Sequence, residues 1–141
     1  MGKRIVFVFC SPKISNEMAA SWLRINELSN SYAHLVCTVG QIQSINLSQK
    51  TLILCDNDRT STITISFDDV HQSINSSLSG QFVQVYGKLI RQTNDKIQIN
   101  AQFIRLLGTD FDLNEYIEGL TSMRNYMNYV NNRGNPIRNI L

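Results

Sequence analysis

Between Leu35 and Leu106 apolar residues recur at nearly every second position in five successive runs, and beyond Asp112 the recurrence changes to every third or fourth. A period of two places alternate side chains on opposite faces of a strand, whereas three-and-four spacing lines one face of a helix. The chain therefore reads as a β domain followed by a helix. The alternation is strictest in Thr62-Ile-Thr-Ile-Ser-Phe67, where Ile63, Ile65 and Phe67 share one face. Leu35 to Ile45 is the first run, with Gly40 as the point where a strand would bulge or bend sharply. Thr51-Leu-Ile-Leu-Cys-Asp56 is the second. In the fourth, Gln81 to Arg91, Val83, Val85 and Leu89 oppose Gln84, Tyr86 and Lys88. In the fifth, Lys96 to Leu106, Ile97, Ile99, Ala101 and Phe103 oppose Gln98, Asn100 and Gln102.

Between the third and fourth runs Val70, Ile74 and Leu78 stand four apart, which suits one or two helical turns closing on Gly80. Five strands with a short helical connection between the third and fourth is the element order of a five-stranded Greek-key OB barrel, a mainly β fold. Closing such a sheet removes its edges and needs a bend in the first strand, which Gly40 can supply. The expected organisation is an N-terminal extension over 1–34, an OB barrel over 35–107, a partner-binding helix over 110–131 and a tail over 132–141. Within the extension, Met18, Trp22, Ile25 and Leu28 predict a short amphipathic helix over 15–29. The apolar run Ile5–Cys10 is shorter than the core of a signal peptide and is read as a strand or a partner contact. No run approaches the length of a membrane span, so a soluble chain without membrane contact is expected.

Charge narrows the function. With 13 basic and 11 acidic residues the net charge is only +2 over 141 residues, too little for phosphate binding by bulk charge. Cys10, Cys37 and Cys55 lack the C-x-x-C spacing of zinc or redox sites. His34 and His71 have no companion at metal-ligand spacing, and no phosphate-cradling loop or nucleophile motif is present. No catalytic residue, metal, cofactor or small-molecule substrate is assigned. Asp56 and Asp58 fall in a hairpin turn, where Asp serves local backbone hydrogen bonding.

In an OB barrel, nucleic acid is met by basic side chains and aromatic platforms on the second and third strands and the flanking loops. Lys50, Arg59, Arg91 and Lys96 occupy those turns and are the candidate single-stranded DNA contacts. Thr62, Thr64 and Ser66, on the outer face of the third strand, offer no ring, and stacking is worth about 1–3 kcal/mol per base. Low autonomous affinity is expected. Phe82 and Tyr86 are read as packing residues against the N-terminal segment or a partner.

The last helix carries the stronger signal. Asp112 with Glu115 forms a capping box, and Leu113, Tyr116, Leu120, Met123, Met127 and Val130 fall at consecutive a and d positions, with Ile117 widening the stripe. Methionines in such a stripe suit an adaptable interface. These seven residues are the candidate partner surface.

Four pieces in this order resemble the smallest-subunit family of replication protein A. They are Val36-Cys-Thr-Val-Gly-Gln-Ile-Gln-Ser-Ile45, Leu52-Ile-Leu-Cys-Asp56, Ser79-Gly80 followed by Val83-Gln-Val-Tyr-Gly87, and Phe111-Asp-Leu-Asn-Glu-Tyr116. The resemblance implies a nuclear, non-enzymatic subunit whose last helix joins helices of two larger OB subunits in a three-helix bundle. It also implies that single-stranded DNA is gripped mainly by those partners. Telomerase-associated complexes of this type and the small OB subunit of the CST telomere-capping complex share the architecture, so replication, repair and telomere duties all stay open. A stand-alone, weak single-strand binder is the remaining alternative.

Overall fold

The computed structural model describes residues 20–133, the last three by their backbone alone. The run Ile5–Cys10, the start of the helix expected over 15–29 and most of the tail lie outside the described residues. What is described falls into two units that meet in sequence between Phe111 and Asp112.

The first unit contains six strands: β1 (Ser21–Trp22), β2 (Leu35–Asn46), β3 (Thr51–Cys55), β4 (Thr62–Ser66), β5 (Phe82–Arg91) and β6 (Ile97–Gly108). β2 pairs antiparallel with β3, β3 antiparallel with β4, β4 parallel with β6 and β6 antiparallel with β5, which pairs antiparallel with β2 again. Five strands thus form a closed ring. Following hydrogen-bonded partners from Leu35 through Lys88, Asn100, Ser66 and Thr51 leads back to β2 at Asn46, the far end of the same strand. A ring that closes with so large a stagger has steeply tilted strands.

β2 makes the closure possible by serving two neighbours. Leu35 to Gln41 face β5, and Gln41 to Asn46 face β3. The exchange occurs beside Gly40, as the sequence suggested, but the bulge itself lies at Gln43, between Ile42 and Ser44. Gly40 has a different duty: a Cβ there would sit 2.7 Å from Ile25 Cδ1 and 2.9 Å from the Cys55 carbonyl oxygen. Only a residue without a side chain lets the chain cross so closely.

A second bulge corrects the expected face of Phe103. Tyr86 pairs with Phe103 but Gly87 with Ala101, so Gln102 is an extra residue in β6. One extra residue inverts the alternation beyond it. Ile99 and Ala101 point inward as expected, whereas Ile104 takes the next core position and Phe103 is 46% exposed.

Inside the ring, Val36, Ile42, Leu52, Leu54, Ile63, Ile65, Val83, Val85, Ile99 and Ile104 form one apolar core. Each such side chain contributes about 1.5–3 kcal/mol on burial. The expected α-helix at the N-terminal side takes another form. β1 runs parallel to β2, pairing Ser21 with Val36 and Trp22 with Cys37, and a 3-10 helix follows over Ile25–Asn30. Ile25 and Leu28, three apart, match the tighter 3-10 period and both enter the core, which also holds the segment down. The β4–β5 connection is likewise a single 3-10 turn, Ser76–Leu78, capped by the Asn75 side chain, with Leu78 buried and Gly80 at φ +88°.

The second unit is the helix α1 (Leu113–Arg133). Asp112 Oδ1 accepts a 3.0 Å hydrogen bond from the Glu115 N–H, which satisfies one of the free donors of the first turn. Leu113, Tyr116 and Leu120 are buried, whereas Met127 and Val130 are exposed together with Tyr126 and Tyr129.

Candidate nucleic-acid and partner interface

The outer surface of β2, β3 and β4 is shallowly concave. Ser44, Asn46, Gln49, Thr51, Ile53 and Thr64 line a depression of about 290 Å³ there. Its lining sets hydroxyls and amides beside Ile45, Leu52 and Ile53 but offers no ring and no cation, so it can hydrogen-bond a base edge yet cannot stack one.

The four basic candidates do not form one patch. The β2–β3 turn is built by Asn46, whose Oδ1 accepts from Ser48 Oγ at 2.8 Å and from the Gln49 N–H at 3.2 Å, and it ends with Lys50 at φ 54°. Lys50 Nζ lies 3.5 Å from Asp68 Oδ1, and its carbonyl accepts from the Phe67 N–H, which places it where β4 ends. Arg59, at φ 61°, sits in the turn where β4 begins. Because β4 and β6 are parallel, with Thr64 beside Gln98, the turn before β6 opens at that same end and carries Lys96. Arg91 flanks this hairpin, which the Gln92 N–H closes by a 2.8 Å bond to the Lys96 carbonyl. Arg59, Arg91 and Lys96 therefore share one end of the ring, and Lys50 stands at the opposite end of β4, beside a carboxylate.

Arg91 is also engaged within the chain. Its Nη2 donates to the carbonyls of Ser29, at 3.0 Å, and Ser31, and its guanidinium lies over the Tyr32 ring, 5.4 Å from the centroid. Tyr32 was not singled out by the sequence, because it stands in a Ser- and Asn-rich stretch with no periodicity. Only the fold brings it beside Arg91.

The carboxylates at the β3–β4 turn divide in role. Asp58 does what turn chemistry anticipates: its carboxylate accepts from the Thr60 and Ser61 N–H groups, both at 3.0 Å, and from Ser61 Oγ. Those donors hold its carboxyl down at about 2. Asp56 departs from the expectation of a solvated turn residue. It is buried, accepts from the Asn57 N–H at 2.8 Å, and pairs with Arg24 Nη2 at 3.3 Å. Beside it, burial pushes the Cys55 thiol up.

On α1 the candidate partner stripe is split. Leu113, Tyr116 and Leu120 are already covered, and burial pushes the Tyr116 phenol up. Ile117 and Met123 are half-buried. Met127, at 50% exposure, and Val130, at 39%, remain open. Phe82 is half-buried against Phe111, with ring centroids 5.9 Å apart, a contact with neither the N-terminal segment nor a partner, and Tyr86 is buried.

Solved structures of similar fold place this geometry. The Stn1–Ten1 complex of S. pombe contains a chain 17% identical, matched over 76% of this protein and 93% of that chain with a TM-score of 0.55. The telomere capping protein Ten1 from Saccharomyces pombe is 15% identical over 76% of this protein and 99% of its own chain, with a TM-score of 0.58. A chain of U. maydis replication protein A bound to single-stranded DNA is 21% identical over 78% and 94%, with a TM-score of 0.55. These likenesses establish the OB fold. No individual curated protein matches the sequence. The sequence profile of replication factor A protein 3, however, matches residues 18–129, which takes in the ring and nearly all of α1. The chain is a member of the replication factor A protein 3 family.

Proposed function

We propose that this protein is the small OB subunit of a multi-subunit complex that binds single-stranded DNA, and that it acts as a scaffold on chromosomal DNA in the nucleus rather than as an enzyme. The observation that carries this reading is the division of α1. A helix that only completed its own fold would bury its whole apolar stripe, yet Met127 and Val130, with Tyr126 and Tyr129 beside them, are exposed at its C-terminal half. Single exposed apolar residues are ordinary, whereas several on successive turns of one helix suit a partner. Replication protein A bound to single-stranded DNA and the Stn1–Ten1 complex support the assignment, the first by its ligand and the second by its assembly. In this reading Met123, Met127 and Val130 meet helices of two larger OB subunits in a three-helix bundle, and Leu113, Tyr116, Ile117 and Leu120 continue the same apolar stripe. Lys50, Arg59, Arg91 and Lys96 add at most a minor share of DNA affinity, consistent with a net charge of +2.

Co-expression with candidate larger OB subunits tests the proposal. A stable complex should form with the wild-type chain and be lost with Met127→Asp and Val130→Asp together. A complex that survives both substitutions rejects the helix as the assembly surface. The likeness to Ten1 favours a second reading, a telomere-capping subunit. Identification of the co-purifying partners by mass spectrometry separates replication, telomerase and capping assemblies directly.

A further inference from the structure

Tyr32 is 95% exposed, nearly as open as in an extended peptide, yet it is held in place. The Ala33 N–H donates to Ser31 Oγ at 3.0 Å, the next residue's carbonyl at His34 accepts from the Leu89 N–H at 3.0 Å, and Arg91 fastens the Ser29 and Ser31 carbonyls. The Arg91 guanidinium lies on one side of the ring, 5.4 Å from its centroid, and leaves the ring accessible. Solvated, beside a cation and carried on hydrogen-bonded backbone, such a ring is accessible to a base without rearrangement of the chain.

The charge around it favours a phosphate. Lys96 is exposed in the hairpin that Arg91 opens, and Lys88 is exposed on β5 opposite Leu35. Asp95 is the acidic residue in that hairpin, leaving an excess of positive charge.

From this juxtaposition we infer that Tyr32, backed by Arg91, is a stacking platform for one base of single-stranded DNA, with Lys96 at the adjoining phosphate. The inference rests on the single-stranded DNA reading above and deepens it by giving this subunit a direct contact. It also supplies the ring that the outer face of β4 lacks. Nucleic-acid platforms of this type combine an aromatic face with a nearby cation, and they tolerate any base because every base has a π face.

The test uses the full-length chain and a thymidine oligonucleotide carrying 5-iodouracil. Photocrosslinking followed by mass spectrometry should place the adduct on Tyr32. In titrations, Tyr32→Ala should weaken binding about 5- to 150-fold, and Tyr32→Phe should bind like the wild type. Lys96→Ala should reduce the slope of log affinity against log salt by about 0.7. Wild-type affinity in Tyr32→Ala, or an adduct confined to other residues, overturns the inference. Assembly with larger OB subunits is measured on the same variant. A Tyr32→Ala chain that assembles but binds DNA unchanged removes the platform and leaves the subunit reading standing. A wild-type chain that crosslinks at Tyr32 but never assembles does the reverse.

Discussion

Arg24 Nη2 and Asp56 Oδ2 meet at 3.3 Å, joining the segment that leads into β2 to the residue just past β3. The Asp56 side chain is 2% exposed and that of Arg24 27%, so water competes weakly for the pair. Asp56→Ala should destabilise the protein by about 1.5–3 kcal/mol, read as a lower urea midpoint at unchanged slope. Lys50→Ala removes a pair whose side chains are 60% and 69% exposed and should change stability by less than about 0.5 kcal/mol. Equal effects from the two would contradict this account of Asp56.

The split of α1 predicts two distinct kinds of variant. Leu120 is 1% exposed, and Leu120→Ala should cost about 2–5 kcal/mol in equilibrium unfolding. Met127, half-exposed, should tolerate Asp within about 0.5 kcal/mol while losing co-purification of partners. Circular dichroism melts on the purified chain distinguish the two before any binding assay.

Asp58 supplies a pH signature. Its carboxyl sits at about 2 in the folded chain, below the ordinary 3.8, because the Ser61 and Thr60 N–H groups favour its charged form. A group whose folded value is depressed adds stability above its unfolded value, and that contribution fades as the pH falls from about 4 through 2. Asp58→Ala should be less stable than wild type at neutral pH, and the difference should shrink across that window. A constant difference from pH 6 to pH 2 would show that the carboxylate charge is not responsible.

Gly40→Ala should destabilise the ring by about 1–3 kcal/mol, because the added methyl meets the Cys55 carbonyl oxygen at 2.9 Å, and backbone cannot swing aside as a side chain can. Trimming the other neighbour, with Ile25→Val in the same chain, should not restore stability. Recovery in that double variant would shift the constraint from the backbone to the side chain.

The strands and their order were legible because period-two patterning over Leu35 to Leu106 survives in the folded chain, and the last helix because its spacing holds from Leu113 to Val130. What the pattern could not carry was a change of phase. A bulge at Gln102 has no composition of its own, so Phe103 is placed inside by the sequence and outside by the fold. Nor could it carry partners distant in sequence: Asp56 reads as a turn residue until Arg24 comes beside it, and Tyr32 as a loop residue until Arg91 does. Residues Ile25 and Leu28 stand three apart, a spacing that both helical periods allow over so short a stretch, and the fold adopts the tighter one.

The double pairing of β2 also governs how the ring can be made. Its second half finds β3 across a turn of a few residues, but its first half must wait for β5, about forty to fifty positions further along the chain. Contacts so far apart in sequence are slow to form, since a long loop must be closed before any of them stabilises the structure. A chain leaving the ribosome therefore carries the Leu35–Gln41 stretch of β2 without its β5 partner until Arg91 has emerged. For that interval, a segment rich in aliphatic residues has an unpaired edge and is the part most in need of protection from wrong partners.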